Sequence, residues 1–430
     1  MKTDNQIKVE SVNPKQMEAA GKDYLWNTFG TFFYFFCQYL LTILVVRLGN
    51  FTDAGIFSIV LSITNIFYCV SIYGVRNYQV ADIENRFSDS DYIHFRHLCT
   101  LIALGLFVIS LPFFGYSVYT SVCCLIYLFY KFGESYMDVL FGIFQKRDEV
   151  KKIAISYMIK GIVSVTTFTL GMILFHSLMA TLLINTLGIF VVLIFYDIQH
   201  EKGLTGPKLT RNQALLLLRD CFPLMLYSLL VPALNLIMRT DIEKMFGTEQ
   251  LGYFSSVTMV LSILNVLMTS VFVMLIPTIS ILYAEAKTKK LIRLILIAVA
   301  GFGLLCLAGV GAGALLGDFV FSLLFGKEIL PYMNLLAPTI IASIILSCVT
   351  FFSSVLTSFS KNDEVLIGNF PSVLIVFLFT PMILQKSGMI GSVFLLCLGL
   401  FVSALILFGF IFLAIHRRNR KKEMKRGRHE

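Results

Sequence analysis

Charge is scarce in this sequence. Asp, Glu, Lys and Arg make up 14% of 430 residues, against 57% hydrophobic residues, 40 phenylalanines and a mean hydropathy of +0.81. A soluble domain carries about a quarter charged residues, so a water-exposed globule is excluded and the lipid bilayer is the natural solvent. The nine cysteines lie in or beside apolar stretches with no C-x-x-C pair and no metal spacing, which removes a disulfide framework and a zinc site and leaves small apolar fillers. His94 and His97, at i and i+3, have no third ligand nearby and read as solvated. No metal and no cofactor is expected. A phosphate-cradling G-x-x-x-x-G-K-[ST] loop is absent, which argues against direct ATP drive. No basic residues interleave with exposed aromatics on a water-soluble module, so nucleic acid is not an expected partner. The polar opening residues 1–23, ending GKD, lack the short apolar core and small-residue cleavage site of a secretory signal and are expected to be retained.

What the chain has instead is apolar runs of the length a helix needs to cross about 30 Å of hydrocarbon. Twelve are found, near 24–46, 54–75, 98–115, 117–143, 153–175, 178–196, 214–237, 252–282, 291–316, 333–358, 365–384 and 389–415. The third and fourth are parted only by a turn at Gly115 and Tyr116, and the eighth is long enough to tilt or to bend at Pro277. The fold class is therefore an all-α integral membrane protein. Of the 35 Lys and Arg residues, 28 fall on the side that carries both termini, five (Arg47, Arg239, Lys244, Lys327 and Lys386) fall on the other, and Lys131 and Lys160 lie inside predicted helices. Because basic loops resist translocation, both termini are expected to be cytoplasmic, in a multi-pass cell membrane protein. The tail HRRNRKKEMKRGR supplies eight basic residues and is suited to anionic headgroups.

Two echoes run through the chain. FQKRDEV at 144–150 and FSKNDEV at 359–365 each follow the fourth helix of a six-helix half. GIFS at 55–58 and GYFS at 252–255 each open a second helix, with SITN at 62–65 and SILN at 262–265 further on. Six is even, so the second copy enters the membrane in the same direction as the first, a parallel repeat. The expected organisation is a cytoplasmic segment (1–23), an N-terminal six-helix bundle (24–196), a cytoplasmic linker (197–213), a C-terminal six-helix bundle (214–415) and a basic tail (416–430), with the bundles facing each other across a central cavity.

Polar residues inside the apolar runs recur at helical spacing. In the fourth run Thr120, Cys124, Tyr127, Lys131, Glu134, Asp138 and Gln145 share one face; in the fifth Ser156, Lys160, Ser164, Thr167 and Gly171; in the first Asn27, Thr31, Tyr34 and Gln38. Such faces do not point at lipid. A lysine at the bilayer centre costs about 2.5–3.5 kcal/mol on insertion scales, so Lys131 and Lys160 mark a pathway or face protein. Two readings of Lys131 and Glu134 stay open: they neutralise one another at i and i+3, or they serve a polar chamber. Lys160 has no acidic residue in its own stripe. Arg47 and Arg239 sit at helix ends, where an interfacial anchor is the default, and Arg76 reads first as a topology determinant. Pro223, Pro232, Pro277, Pro331, Pro338, Pro371 and Pro381 concentrate potential kinks in the second half.

The segment NTFGTFFYFFCQYLLTILVVRLGNFTDAGIFSIVLSITNIF, followed by YGVRNYQVADIENRFSDSDY, resembles the opening of bacterial polysaccharide-repeat-unit flippases, the Wzx-type branch of the multidrug/oligosaccharidyl-lipid/polysaccharide (MOP) superfamily. CFPLMLYSLL and RTDIEKMFGTEQLGYFSSVTMV resemble the start of that family's second half. The resemblance implies a non-enzymatic flippase that moves undecaprenyl-diphosphate-linked oligosaccharides between leaflets by alternating access. Cationic cavity residues would hold the pyrophosphate while the prenyl tail stays in lipid, and polysaccharide polymerase and glycosyltransferases would be neighbours. Arg47, Arg76 and Arg239 fall within the matching segments; Lys131, Lys160, Gln38 and Tyr127 come from the stripes, and Glu134 or Asp138 is the candidate for proton or sodium coupling. The alternative is a cation-coupled multidrug or metabolite antiporter of the related branch. Such antiporters often use an acidic residue within helix one or seven, and here those helices carry none at depth. Short outer loops argue against a membrane polymerase or ligase.

Overall fold

The computed structural model describes residues 14–426 apart from 83, 202–205, 207 and 208. Most of the expected N-terminal segment, part of the linker and the last residues of the basic tail lie outside the described residues. The rest is helical with no strand. The helices are α1 (Pro14–Leu48), α2 (Phe51–Ile72), α3 (Val75–Ala81), α4 (Asp89–Phe114), α5 (Val118–Lys146), α6 (Val150–Phe175), α7 (Leu178–Val192), α8 (Arg211–Phe246), α9 (Thr248–Val273), α10 (Ile276–Ala284), α11 (Thr288–Phe325), α12 (Leu336–Ser358) and α13 (Asn362–Arg426). A π turn, Leu193–Asp197, extends α7, and a 3₁₀ segment, Lys327–Leu335, leads into α12.

Ten described segments are long and apolar enough to span a bilayer. Helix α5, carrying Lys131, Glu134 and Asp138, is not among them, and the run 362–419 counts once although it breaks at Gly388, whose φ of 62° and ψ of −161° are non-helical. With α5 added and that run divided, the described residues hold twelve candidate crossings, an even number that sets the start of α1 and the end of α13 on the same side. We call this the terminal end.

Local chemistry sets most boundaries. Asn50 caps α2 by accepting from the Asp53 amide at 2.8 Å, and reciprocal capping boxes open α4 (Ser88, Asp91) and α8 (Thr210, Gln213). Gly115 closes α4 at φ 69°. Among the bounds that differ from the apolar runs, three bear on the shape of the helices. The second crossing turns at Tyr73 and Gly74, with φ of 49° and 67°, before α3 resumes. The eighth breaks at Met274 and Leu275, so that Pro277 falls in the first turn of α10, where its missing N–H costs nothing. Helix α11 runs 38 residues, well past both ends of its apolar run.

The short segment after α3 is tied down by Asp82, which accepts from the Arg86 amide (3.0 Å), the Phe87 amide (3.2 Å) and the Tyr92 hydroxyl (2.8 Å). Burial pushes this carboxyl up, but those donors and nearby Lys146 outweigh it and hold it below the ordinary carboxylate range. A carboxyl depressed on folding stabilises above its unfolded pKa, and that contribution is lost as pH falls through the folded value. Asp82→Ala is expected to cost about 1–3 kcal/mol by orphaning its donors and to flatten the loss of thermal stability on acidification below about pH 4, measured by unfolding scans in detergent.

Helices α1–α7 form one lobe and α8–α13 a second. The two echoes fare differently. In the first, α5 ends at Lys146 and Arg147–Glu149 form the loop, whereas α12 ends at Ser358 and α13 has already begun at Asn362. The matching letters are thus three residues out of structural register, and their contacts differ: Arg147 joins Asp89 (2.8 Å) and Glu201 (3.1 Å), while Lys361 pairs with Glu364 (3.0 Å). The second echo is exact in space. GIFS and GYFS face each other where α2 crosses α9, with Ser58 and Ser255 sharing a hydrogen bond at 2.6 Å. A Cβ on Gly55 would stand 1.9 Å from the Thr248 carbonyl oxygen, and one on Gly252 would stand 1.9 Å from that of Phe51. Each glycine admits the other lobe's backbone, which is why both positions lack a side chain. Phe51 stacks on Tyr253, with ring centroids 3.9 Å apart, at the same seam.

Candidate functional site

Between the lobes lies a cavity of about 440 Å³. Its walls come from α1 (Tyr34, Gln38, Tyr39), α2 (Ser58, Ser62, Asn65, Tyr68), α5 (Lys131, Glu134) and α6 (Tyr157, Lys160) on one side, and from α8 (Asn235, Arg239) and α9 (Ser255, Ser262) on the other. The stripes expected on the first, fourth and fifth crossings therefore converge. The SITN and SILN echo belongs here too, since Ser62, Asn65 and Ser262 all line the chamber.

Glu134 is the hub. Its Oε2 accepts from Lys131 at 2.9 Å, its Oε1 from Lys160 at 3.0 Å, and the Tyr34 hydroxyl also donates to Oε1. Lys160, which has no acid in its own stripe, finds one across the α5–α6 interface. Both ammonium groups are also caged by aromatic faces: Lys160 stands 3.8 Å from the Tyr34 ring centroid and 4.8 Å from that of Tyr157, and Lys131 stands 5.3–5.9 Å from Tyr68, Tyr127 and Tyr130. Gln38 donates to the Tyr130 hydroxyl at 3.3 Å, and that hydroxyl shares a hydrogen bond with Ser164 at 2.9 Å. Tyr127 is wholly buried behind this layer, stacked on Tyr130 at 4.9 Å, and supports the wall rather than facing the chamber.

Removing one member of a buried ionic cluster strands the others, at about 3–5 kcal/mol. Glu134→Ala is therefore expected to destabilise the protein by that amount in detergent unfolding scans, with a smaller loss for Glu134→Gln, which keeps the shape and an acceptor.

Arg239 is different in kind. Its guanidinium reaches across the cavity to the other lobe, donating to the Ser62 hydroxyl at 3.0 Å and the Ser58 carbonyl at 3.3 Å. Among the described residues no carboxylate acts on it. The cavity's ionisable walls thus hold Lys131, Lys160 and Arg239 against Glu134 alone, a formal charge of +2, and the one cation without a counter-charge is Arg239.

The remaining charged candidates lie elsewhere. Asp138 is held by Arg96 at 2.8 Å and Arg76 at 3.6 Å, below the chamber toward the terminal end, where Arg76 also donates to Gln145 at 3.1 Å. Arg96, counted by sequence among the terminal-side cations, is wholly buried and also donates to the Ser71 carbonyl at 3.0 Å. Arg47 sits outside the cavity at the opposite end. It donates to the carbonyls of Leu324 (2.7 Å), Leu323 and Ser322 (3.4 Å) at the C-terminus of α11, where unpaired carbonyls and the helix dipole favour a cation. It ties α1 to α11 outside the chamber. Among the described residues no cluster of His, Cys, Asp and Glu suits a metal. Sequence reasoning passed over Tyr39 and Tyr157, each next in sequence to a stripe residue but off its helical spacing, and Ser58 and Asn235, which lie on helices outside the three stripes.

No family model matches the chain. It is 28% identical over 302 residues to the capsular polysaccharide biosynthesis protein CapF of Staphylococcus aureus, covering 68% of this chain and 74% of that protein. Among solved structures it is similar to an inward-facing multidrug resistance MATE transporter of the MOP superfamily (TM-score 0.72, 15% identity, 91% of this chain and 96% of that one) and to an outward-facing form of such a transporter (0.65, 16%, 93% and 97%). It is also similar to a MOP superfamily transporter from Pyrococcus furiosus described by the reverse polarity of its binding pocket (0.64, 14%, 93% and 97%). The fold is that of the MOP-superfamily transporters, in a multi-span membrane protein. The quoted segments resemble the Wzx-type polysaccharide branch, and the relative at 28% identity is named for capsular polysaccharide biosynthesis.

Proposed function

We propose that this chain flips undecaprenyl-diphosphate-linked oligosaccharide repeat units from the cytoplasmic to the outer leaflet of a bacterial cell membrane, by alternating access, for surface polysaccharide synthesis. The observation that carries the reading is the chamber's formal charge of +2, with one guanidinium left free of any carboxylate. A diphosphate is a compact dianion whose headgroup does not cross hydrocarbon unaided. Arg239 supplies the planar fork that suits phosphate oxygens, and the Lys131 and Lys160 ammonium groups supply point charges. The hydroxyls and amides of Ser62, Asn65, Gln38 and Asn235 suit sugar hydroxyls, and the Tyr rings suit sugar faces. The terminal end, with its excess of basic residues, is the cytoplasmic end in this reading. The seam at α2, α9 and Arg47 is then the outer gate, closed. Glycosyltransferases would deliver the cargo and a polymerase would receive it.

The likeness to multidrug transporters raises the alternative of a cation-coupled drug antiporter. A net positive chamber repels the organic cations that an acidic chamber would attract, so the polarity favours the anionic lipid. Deleting the gene in its native host and extracting the lipids tests the choice. The reading requires undecaprenyl-diphosphate repeat units to accumulate and surface polysaccharide to vanish; unchanged polysaccharide without accumulation rejects it.

A further inference from the structure

Both acids that the sequence nominates for ion coupling are already doubly paired, Glu134 by two lysines and Asp138 by two arginines. Asp197 is not. It ends the π turn after α7, it is wholly buried, and neither carboxyl oxygen has a hydrogen-bond partner. The buried Ser156 hydroxyl faces it from α6 and acts on the carboxyl, though it stands beyond hydrogen-bond distance. The charged or titratable groups interacting with it are Lys160 of α6 and Tyr196 and His200 of its own segment; none comes from α5. The His200 Nδ1 is engaged with the Tyr196 carbonyl at 2.7 Å.

Ser156 and Lys160 are four residues apart on one face of α6. Lys160 therefore stands between two carboxyls: Glu134, which it holds at 3.0 Å, and Asp197, about one helical turn (~5.4 Å) nearer the terminal end. A long, flexible lysine stem spans that distance. An ionised carboxyl stripped of water and partners costs several kcal/mol, whereas a neutral one costs far less. The π turn that places it is a rare geometry found often at functional positions.

We infer that Asp197 is an exchangeable-proton site that shares Lys160 with Glu134. With Asp197 neutral, Lys160 rests on Glu134, the arrangement in this structure. When the Asp197 O–H bond breaks and the proton passes to water at the terminal end, the Lys160 ammonium moves along α6 to the new carboxylate. Glu134 then keeps only Lys131, and one cation is withdrawn from the cavity wall. Occupancy by a proton thus sets the position of a chamber cation, whatever the cargo.

Infrared difference spectroscopy of the purified chain in lipid nanodiscs, titrated with pH, tests this by following the carbonyl stretch of a protonated carboxyl. Wild type is expected to show a buried carboxyl that ionises reversibly, and Asp197→Asn to lack it. Glu134→Gln frees Lys160 for Asp197 and favours the charged form, so the midpoint moves about one unit or more to lower pH; Lys160→Gln removes the waiting cation and moves it about as far to higher pH. A wild type without the titrating band, a band that survives in Asp197→Asn, or a midpoint unmoved in both other variants overturns the assignment. The opposed shifts decide the matter where Asp197→Asn does not accumulate.

Discussion

Arg239→Gln is expected to lower affinity for a lipid diphosphate headgroup roughly 10- to 150-fold, the equivalent of about 1.5–3 kcal/mol for one charge-assisted hydrogen-bonding group, and to abolish export while membrane abundance holds. Calorimetric titration of the purified chain with undecaprenyl diphosphate reads the first quantity and immunoblotting the second. The size of the effect follows from what Arg239 lacks. Lys131 and Lys160 share Glu134, so an incoming phosphate competes with a carboxylate for each of them. Arg239 gives up only a serine hydroxyl and a backbone carbonyl. Single Lys131→Gln and Lys160→Gln variants should accordingly lose less than Arg239→Gln. Arg47→Gln should leave affinity unchanged, because Arg47 grips α11 outside the chamber. Equal losses at all four positions would mean that headgroup binding is diffuse electrostatics with no anchor.

Gly252→Ala is the second large effect expected, and it acts on conformation. The added carbon would lie 1.9 Å from the Phe51 carbonyl oxygen and 2.8 Å from its carbon. Those are backbone atoms of the other lobe, so no rotamer relieves the clash and the helices must part. Overpacking of this kind costs about 1–3 kcal/mol, which shifts the balance between open and closed seam by about 5- to 150-fold. Gly55→Ala meets Thr248 in the mirror-image way and should shift it similarly. In a Gly252→Ala chain without native cysteines, Ser262→Cys should become reactive to an impermeant thiol reagent added on the side of the seam, opposite the terminal end. Labelling as slow as in the parent, with transport intact, would show that the seam is not the barrier.

The lengths of the apolar runs, the asymmetry of Lys and Arg and the polar stripes on three crossings were all legible in the sequence. Lys131, Lys160, Glu134, Gln38 and Arg239 do line one chamber. Legibility failed where a neighbour on another element decided the outcome. The partner of Lys160 lies 26 residues away on α5, and the partners of Arg239 lie 177 and 181 residues away on α2. Asp197 looked like the polar start of a linker, and only the π turn carries it back into the lobe. The echo that drew the eye, FQKRDEV, is out of register in space, while the shorter GIFS and GYFS pair marks the contact between lobes.

By itself the sequence determined that this protein is built for a membrane, that its crossings number about twelve and which faces of its helices shun lipid, because transfer free energies add up locally, residue by residue. Which charges neutralise one another, and which guanidinium is left over for an anion, was decided only by tertiary structure. Those outcomes hang on the rotation and crossing of helices far apart in the chain, where one turn exchanges an ion pair for a cation without a counter-charge.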